Sequence, residues 1–395
     1  MKRFNRILAC LLAVLLTMPL LLTPAFAADA EDPYEPLKQG VGYVALGDSF
    51  ARGYGAGGRW QEQIYLNDTY GHYDCRNVDG AYPNLVAEAF GLSAPDDIRD
   101  TSAKMWSLSH DAVSTAYMLD LLGIDDGYRD EEFTYNEHYR YMAERYETDL
   151  RYFGDPKSCA VDGQAPYGRT GEVMSVRELI ENASLITIGL GQTDILYKAQ
   201  TFGLGGLDLS DISSIPGGIA NILNLLDRYF DYWKDAYPLL LDYIKESNPD
   251  AKVILVGTLN PIKDATLTDD VAIKIGAALN GIMASMNAYT RLCAYRYGYQ
   301  YVDISDVETP ASVTQMSIGH ILSISDPIEY GLTAHPTPRG YSQIADRITA
   351  AVKADLDGSS ANSLLKIKAF FTAIIDWFRV LIFRAVVSLG SVGRS

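Results

Sequence analysis

Tyr43-Val44-Ala45-Leu46-Gly47-Asp48-Ser49-Phe50 is a short apolar run that stops at a glycine and gives way at once to an acid and a serine. Four apolar residues closed by a turn residue read as a buried strand. A Gly-Asp-Ser turn at its end sets a hydroxyl at the strand's carboxyl end, where the serine N–H also faces any bound oxygen. Gly-x-Ser is common, and an isolated serine there is ordinarily a turn residue. A serine hydroxyl is also a poor nucleophile unless a base lies within hydrogen-bond reach.

Working outward, strand-like and helix-like stretches alternate. Tyr82–Phe90 and Asp111–Leu122 have helical spacing, and Leu185–Ile188 reads as a second buried strand. Ile219–Ser247 is one long helix or two, and Lys252–Val256 is a strand closed by Gly257. Asp269–Tyr297 is helical, Tyr299–Asp303 a strand and Gly340–Leu356 a last helix. This alternation predicts an α/β fold with a parallel sheet covered on both faces. Ligands then bind beyond the carboxyl ends of the strands.

The candidate base lies just before that last helix, in Ala334-His335-Pro336-Thr337-Pro338-Arg339-Gly340-Tyr341. Pro336 and Pro338 stiffen the backbone around the imidazole. His72 and His138 lie among tyrosines and acids, and His110 and His320 near serine or glycine, all in weaker contexts.

The N-terminus reads as a cleaved export signal. Lys2, Arg3 and Arg6 precede an apolar run from Ile7 to Leu22, and Ala25-Phe26-Ala27 is a small-x-small cleavage site. Residues 1–27 are therefore expected to leave, giving a secreted, extracellular protein; the alternative is an uncleaved anchor. Cys10 goes with the signal. Cys75 and Cys159 sit in polar stretches and are expected to pair in an oxidising compartment, while Cys293, in an apolar helical run, is expected to be a buried free thiol.

The formal charge of −17 is unevenly spread: the signal carries three positive charges and residues 360–395 a net four, leaving −24 on the body from 28 to 359. Such a body repels phosphate, so no nucleic-acid partner is expected. No His/Cys/Asp cluster has metal-ligand spacing, and neither metal nor cofactor is called for. Residues 123–175 hold seven tyrosines and many acids. They read as an insertion, either a cap over the strand ends or a solvated excursion held down by Cys159. Residues 358–363 look like a linker. From Leu364 to Leu389 the tail is apolar, with Lys368, Thr372, Asp376 and Arg379 on one helical stripe. Internal charges argue against a membrane span. An amphipathic helix over 364–395, lying on a membrane surface, fits better; the alternative is that it folds back onto the body.

Two of these stretches resemble blocks of the SGNH/GDSL hydrolase family. Gly47-Asp48-Ser49-Phe50 is similar to its first block, and His335-Pro336 with Gly340-Tyr341 to its last. Gly191-Gln192-Thr193-Asp194 stands where the third block, Gly-x-Asn-Asp, belongs. Cys75-Arg76 and Ala81–Ala87 look like the region after the nucleophile in the secreted esterase and lipase branch. The resemblance spans roughly residues 40–355. It implies a flavodoxin-like three-layer α/β/α fold and hydrolysis of an ester, with lipids among the candidate substrates, through an acyl-serine, with Ser49 as nucleophile and His335 as base. It also implies an oxyanion hole made by the Ser49 N–H, a second-block Gly and the third-block Asn. Here the Asn position is Thr193, and the best second-block match, Ala103–Ser107, has Trp106 for the Gly. The family's Asp three residues before the His is Leu332, so a main-chain carbonyl nearby, or Glu329 or Asp326, has to orient the ring. These departures keep a rival open: a catalytically degenerate SGNH-like binding domain at the cell envelope.

Overall fold

The computed structural model describes residues 32, 34–53, 56, 79–94, 102–109, 113–125, 176–198, 215–264, 266–268, 270–309 and 335–357, with 371, 375 and 378 in the tail. The expected signal 1–27, Cys75, Cys159, the linker 358–363 and nearly all of 123–175 lie outside those residues. The chain divides into two compact units, residues 1–35 and 36–395. In the first, Asp32 accepts from Tyr34 N through its carboxylate and from Glu35 N through its carbonyl, both at 2.9 Å.

The second unit carries the sheet. Its strands among the described residues are β1 (Gly42–Gly47), β2 (Met105–Ser109), β3 (Ala183–Gly189), β4 (Lys252–Val256) and β5 (Gln300–Val302). All neighbours are parallel, in the order β2-β1-β3-β4-β5. Aliphatic runs such as Val253-Ile254-Leu255-Val256 suit strands buried on both faces. Alternate residues serve the two sides. Val44, Leu46, Trp106, Leu108, Ile186, Ile188 and Leu255 join one apolar core with α3 (Thr115–Leu121), α4 (Val176–Glu181), α6 (Ile215–Ser247) and α7 (Asp270–Tyr297). The other face is covered by α1 (Ser49–Arg52), α2 (Tyr82–Ala89) and α8 (Pro338–Leu356), with α8 packed on α2. A short α5 (Gln192–Lys198) follows β3. This is the flavodoxin-like α/β/α arrangement that the sequence implied, and its strand order reverses between β1 and β3.

Three elements differ from expectation. The stretch expected as one helix or two is a single helix through Pro238, as one of those readings had it, but it begins earlier, at Ile215. The helix expected from Asp111 begins only at Thr115, because Thr115 N and Oγ1 both bond to the carboxylate of Asp194, at 2.9–3.0 Å. A distant acid supplies the cap, so the boundary is set by tertiary contact and not by a local residue. β2 has no counterpart in the sequence reading.

The strand registers align one edge of the sheet. Gly47 stands level with Ser109 on one side and Gly189 on the other, and Val256 stands level with Val302. The residues that carry chemistry leave from this carboxyl edge, at and beside the switch point.

Candidate active site

β1 delivers Ser49 through a tight turn that depends on Gly47. A Cβ at Gly47 would run into the Cβ of Ala51, so a glycine lets α1 fold back over the strand end. Asp48 caps α1: its Oδ1 accepts from Phe50 N at 3.0 Å. Its Oδ2 accepts from Thr193 N at 3.2 Å and Thr193 Oγ1 at 3.0 Å. Asp48 is 1% exposed. Burial pushes its carboxyl up to about 7, in spite of these three bonds, and the charge of nearby Asp194 pushes the same way. Two buried acids thus tie three strand ends together. Asp48 joins the loop after β1 to that after β3, and Asp194 joins β3's loop to the start of α3, which follows β2.

His335 reaches the same edge from the far side. Its Nε2 lies 2.7 Å from Ser49 Oγ. It is 7% exposed, and its ring lies 4.7 Å, centroid to centroid, from that of Phe50. The turn that holds it is clamped to Glu308, which follows β5. Thr337 N donates to the Glu308 carbonyl at 3.2 Å, and Thr337 Oγ1 donates to the Glu308 carboxylate at 2.9 Å. Thr337 Oγ1 also accepts from Gly340 N at 3.0 Å, as N-cap of α8 with Pro338 behind it. A Cβ on Gly340 would run into the backbone oxygen of Glu308, so the glycine permits this close approach.

A crevice opens between the strand ends, lined among others by Asp48, Phe50, Tyr82, Leu190, Gln192 and Thr258. The residues on either side of Ser49 form one wall. Gln192 is 5% exposed; its Oε1 accepts from Leu259 N at 3.3 Å, and its Nε2 has no hydrogen-bond partner among the described residues.

A hydroxyl this close to an imidazole nitrogen has the geometry of a nucleophile with its base, provided that Nε2 accepts and the proton sits on Nδ1. The structure brings together Ser49, His335 and Thr193. It does not bring Trp106. That residue pairs with Val44 inside the β1–β2 ladder, three residues short of the edge, and its indole is buried in the apolar core on the α3 and α6 side. Ser109 is the β2 residue level with Gly47, so the expected oxyanion role of Trp106 is withdrawn. Thr193 is in place, but its one O–H is donated to Asp48. Leu332, Glu329 and Asp326 lie outside the described residues. Cys293 is a buried free thiol, pushed up to about 12 by burial. Sequence reasoning missed Glu308 and passed over Gln192. The first had a usable signal in Thr337-Pro338, an N-cap followed by a first-turn proline, though nothing local points to its partner.

The GDSL-like lipase/acylhydrolase family model matches residues 43–348. Similar solved structures include an extracellular lipase from Streptomyces rimosus, at 16% identity and TM-score 0.44, over 77% of this chain and 97% of that one. A phospholipase A1 from Streptomyces albidoflavus aligns at 18% identity and TM-score 0.44, over 79% and 98%. A family two carbohydrate esterase from Clostridium thermocellum aligns at 12% and TM-score 0.33, over 80% and 64%. No curated protein sequence matches. The family match runs from the first residues of β1 into α8 and encloses both Ser49 and His335, so the chain belongs to the GDSL-like lipase/acylhydrolase family.

Proposed function

We propose that this chain is a secreted serine esterase or lipase-like acylhydrolase that cleaves carboxylic esters through an acyl-serine. The observation that carries the reading is the 2.7 Å contact between Ser49 Oγ and His335 Nε2 at the carboxyl edge of the sheet. Ser49 Oγ attacks the ester carbonyl while its proton passes to Nε2. The tetrahedral adduct collapses, and the same proton goes to the departing alcohol. Water then attacks the acyl-serine with His335 again as base, releasing the acid and regenerating the hydroxyl. The group that orients the His335 ring is sought in the 326–333 segment, where Glu329, Asp326 and the main-chain carbonyls next to the histidine are the candidates. Secretion rests on the charged, apolar and small-residue order of 1–27.

The tail is proposed to meet a membrane surface. Phe371, Ile375 and Phe378 are each more than half exposed. Their spacing puts them on one helical face, beside the Lys368–Arg379 stripe. Among the described residues no helix is long and apolar enough to cross a membrane. One observation favours the rival binding-domain reading: Thr193, at the family's donor position, is spent on Asp48. Rapid mixing with p-nitrophenyl acetate separates the two. A burst of one p-nitrophenolate per chain, absent in Ser49→Ala, is expected; no release above the Ser49→Ala level would leave the binding domain.

A further inference from the structure

We propose that Phe50 is a positioning residue for the general base, with its ring holding the face of the His335 imidazole and favouring the imidazolium that forms as Ser49 attacks. The proposal rests on the hydrolase reading above. An imidazole held only at Nε2 can still pivot about that contact, and proton transfer tolerates little misalignment. The ring also becomes a cation when it takes the serine proton, and a buried cation needs a partner. In a Ser-His-Asp triad a carboxylate meets both needs. Here the residue three before the histidine is Leu332, so part of that duty falls on what packs around the ring.

Phe50 is placed to take it. It directly follows the nucleophile, so Ser49 Oγ and the Phe50 ring leave adjacent positions of one turn. The hydroxyl meets the imidazole at Nε2, 2.7 Å away. The phenyl ring lies against it at 4.7 Å between centroids, with the two planes 34° apart. That is the spacing of an aromatic pair, and a cation this close to a ring centroid is attracted by the π face. Phe50 is 8% exposed and His335 7%, so water does little to screen the attraction. The phenyl ring is itself anchored. Its backbone N–H donates to Asp48 Oδ1 at 3.0 Å, and Gly47 lets α1 sit tight over the strand end. The histidine turn is held separately, through Thr337 and Glu308. The two rings thus meet between two clamped turns. The attraction is weak for the neutral base and grows as the proton arrives, so it lowers the barrier more than it tightens substrate binding.

Phe50→Leu fills much of the same space and removes the π face. In the full chain with p-nitrophenyl acetate, kcat is expected to fall about tenfold with KM close to wild type, and the acidic limb of kcat/KM to move down by about one pH unit. The sign follows from the charge. Without the π face the imidazolium is less favoured, so the free base is protonated only at lower pH. Asp48, Arg52, Glu308 and Arg339, the charged groups of the two turns and their clamp, are the same in every variant, so a moved limb reads the ring. Phe50→Tyr keeps the face and should keep both values. Pentafluorophenylalanine in place of Phe50 keeps the shape and withdraws the negative charge of the face, so it tests the same loss if the leucine variant does not fold. If a folded chain without the π face keeps wild-type kcat, or loses rate while its acidic limb stays put, the proposal is overturned and the hydrolase reading stands. An equal loss in Phe50→Tyr means packing alone and overturns it as well. A rise in KM with kcat unchanged does the same, since that is ground-state binding. A wild-type chain that releases no p-nitrophenolate above the Ser49→Ala level overturns both readings.

Discussion

At the scale of single residues, the Gly-Asp-Ser turn uses its acid to hold the site and not to move a proton. Asp48 takes no part in the proton relay proposed for Ser49 and His335. Its carboxyl holds two loops together from a site without solvent, and burial favours its neutral form. The sign of the pH effect follows. An acid whose carboxyl is raised from the ordinary range to about 7 binds more protons folded than unfolded between those values. Its stabilising contribution is complete below about pH 4 and is lost as pH rises through 7. Raising the carboxyl from the ordinary range to about 7 corresponds to roughly 4 kcal/mol at most. Asp48→Asn, which cannot ionise, should remove that part of the decline. Denaturant unfolding of both forms from pH 4 to pH 8 checks it, and parallel stability curves would contradict it. Sequence showed the serine and the histidine because each sits in a distinctive local pattern. It did not show that Thr193 is bonded to Asp48, because that contact spans 145 positions and depends on β1 and β3 being neighbours.

Among the elements, four of the five strands could be read, the edge strand β5 among them. Tyr43–Leu46 is an unbroken apolar run, Leu185–Ile188 is interrupted only by Thr187, and Lys252–Val256 is apolar after its lysine; each falls within the observed strand. β2 is Met-Trp-Ser-Leu-Ser at the sheet edge, and its serines mask the pattern. In the fold those serines are buried, with Ser109 Oγ donating to the Ala45 carbonyl at 3.4 Å. Missing this strand is what put Trp106 at the wrong level. The last helix shows the opposite case, where a local signal and a tertiary clamp coincide. Thr337 caps α8 and at the same time binds Glu308, so the start of the helix fixes the histidine turn. Gly340→Ala should push α8 from the Glu308 carbonyl and carry His335 out of line. A displacement near 1 Å can cost about 10²-fold in rate. A loss of that order in kcat/KM, with a lowered melting temperature, is expected. Wild-type turnover in Gly340→Ala would mean that the clamp does not position the base.

For the whole molecule, the acidic body and the basic, apolar tail point to different jobs. A body with a formal charge of −24 between residues 28 and 359 is repelled by anionic surfaces, and the net four positive charges of 360–395 oppose this locally. A chain truncated after Asp357 should keep its turnover on soluble short-chain esters, since the family match and the Ser49–His335 pair both end before that point. It should lose sedimentation with liposomes, most clearly with anionic lipid. Equal sedimentation of the truncated and full chains would place the membrane contact elsewhere, or nowhere.

The proposed activity requires Ser49 to be a nucleophile activated by His335. Exposure of the mature chain to a fluorophosphonate, followed by intact-mass and peptide mapping, tests it directly. The expected result is one adduct per chain, on Ser49, formed at a rate that collapses in His335→Ala while the protein stays folded. A chain that takes no label, or takes it on another residue at an unchanged rate in His335→Ala, would contradict the account.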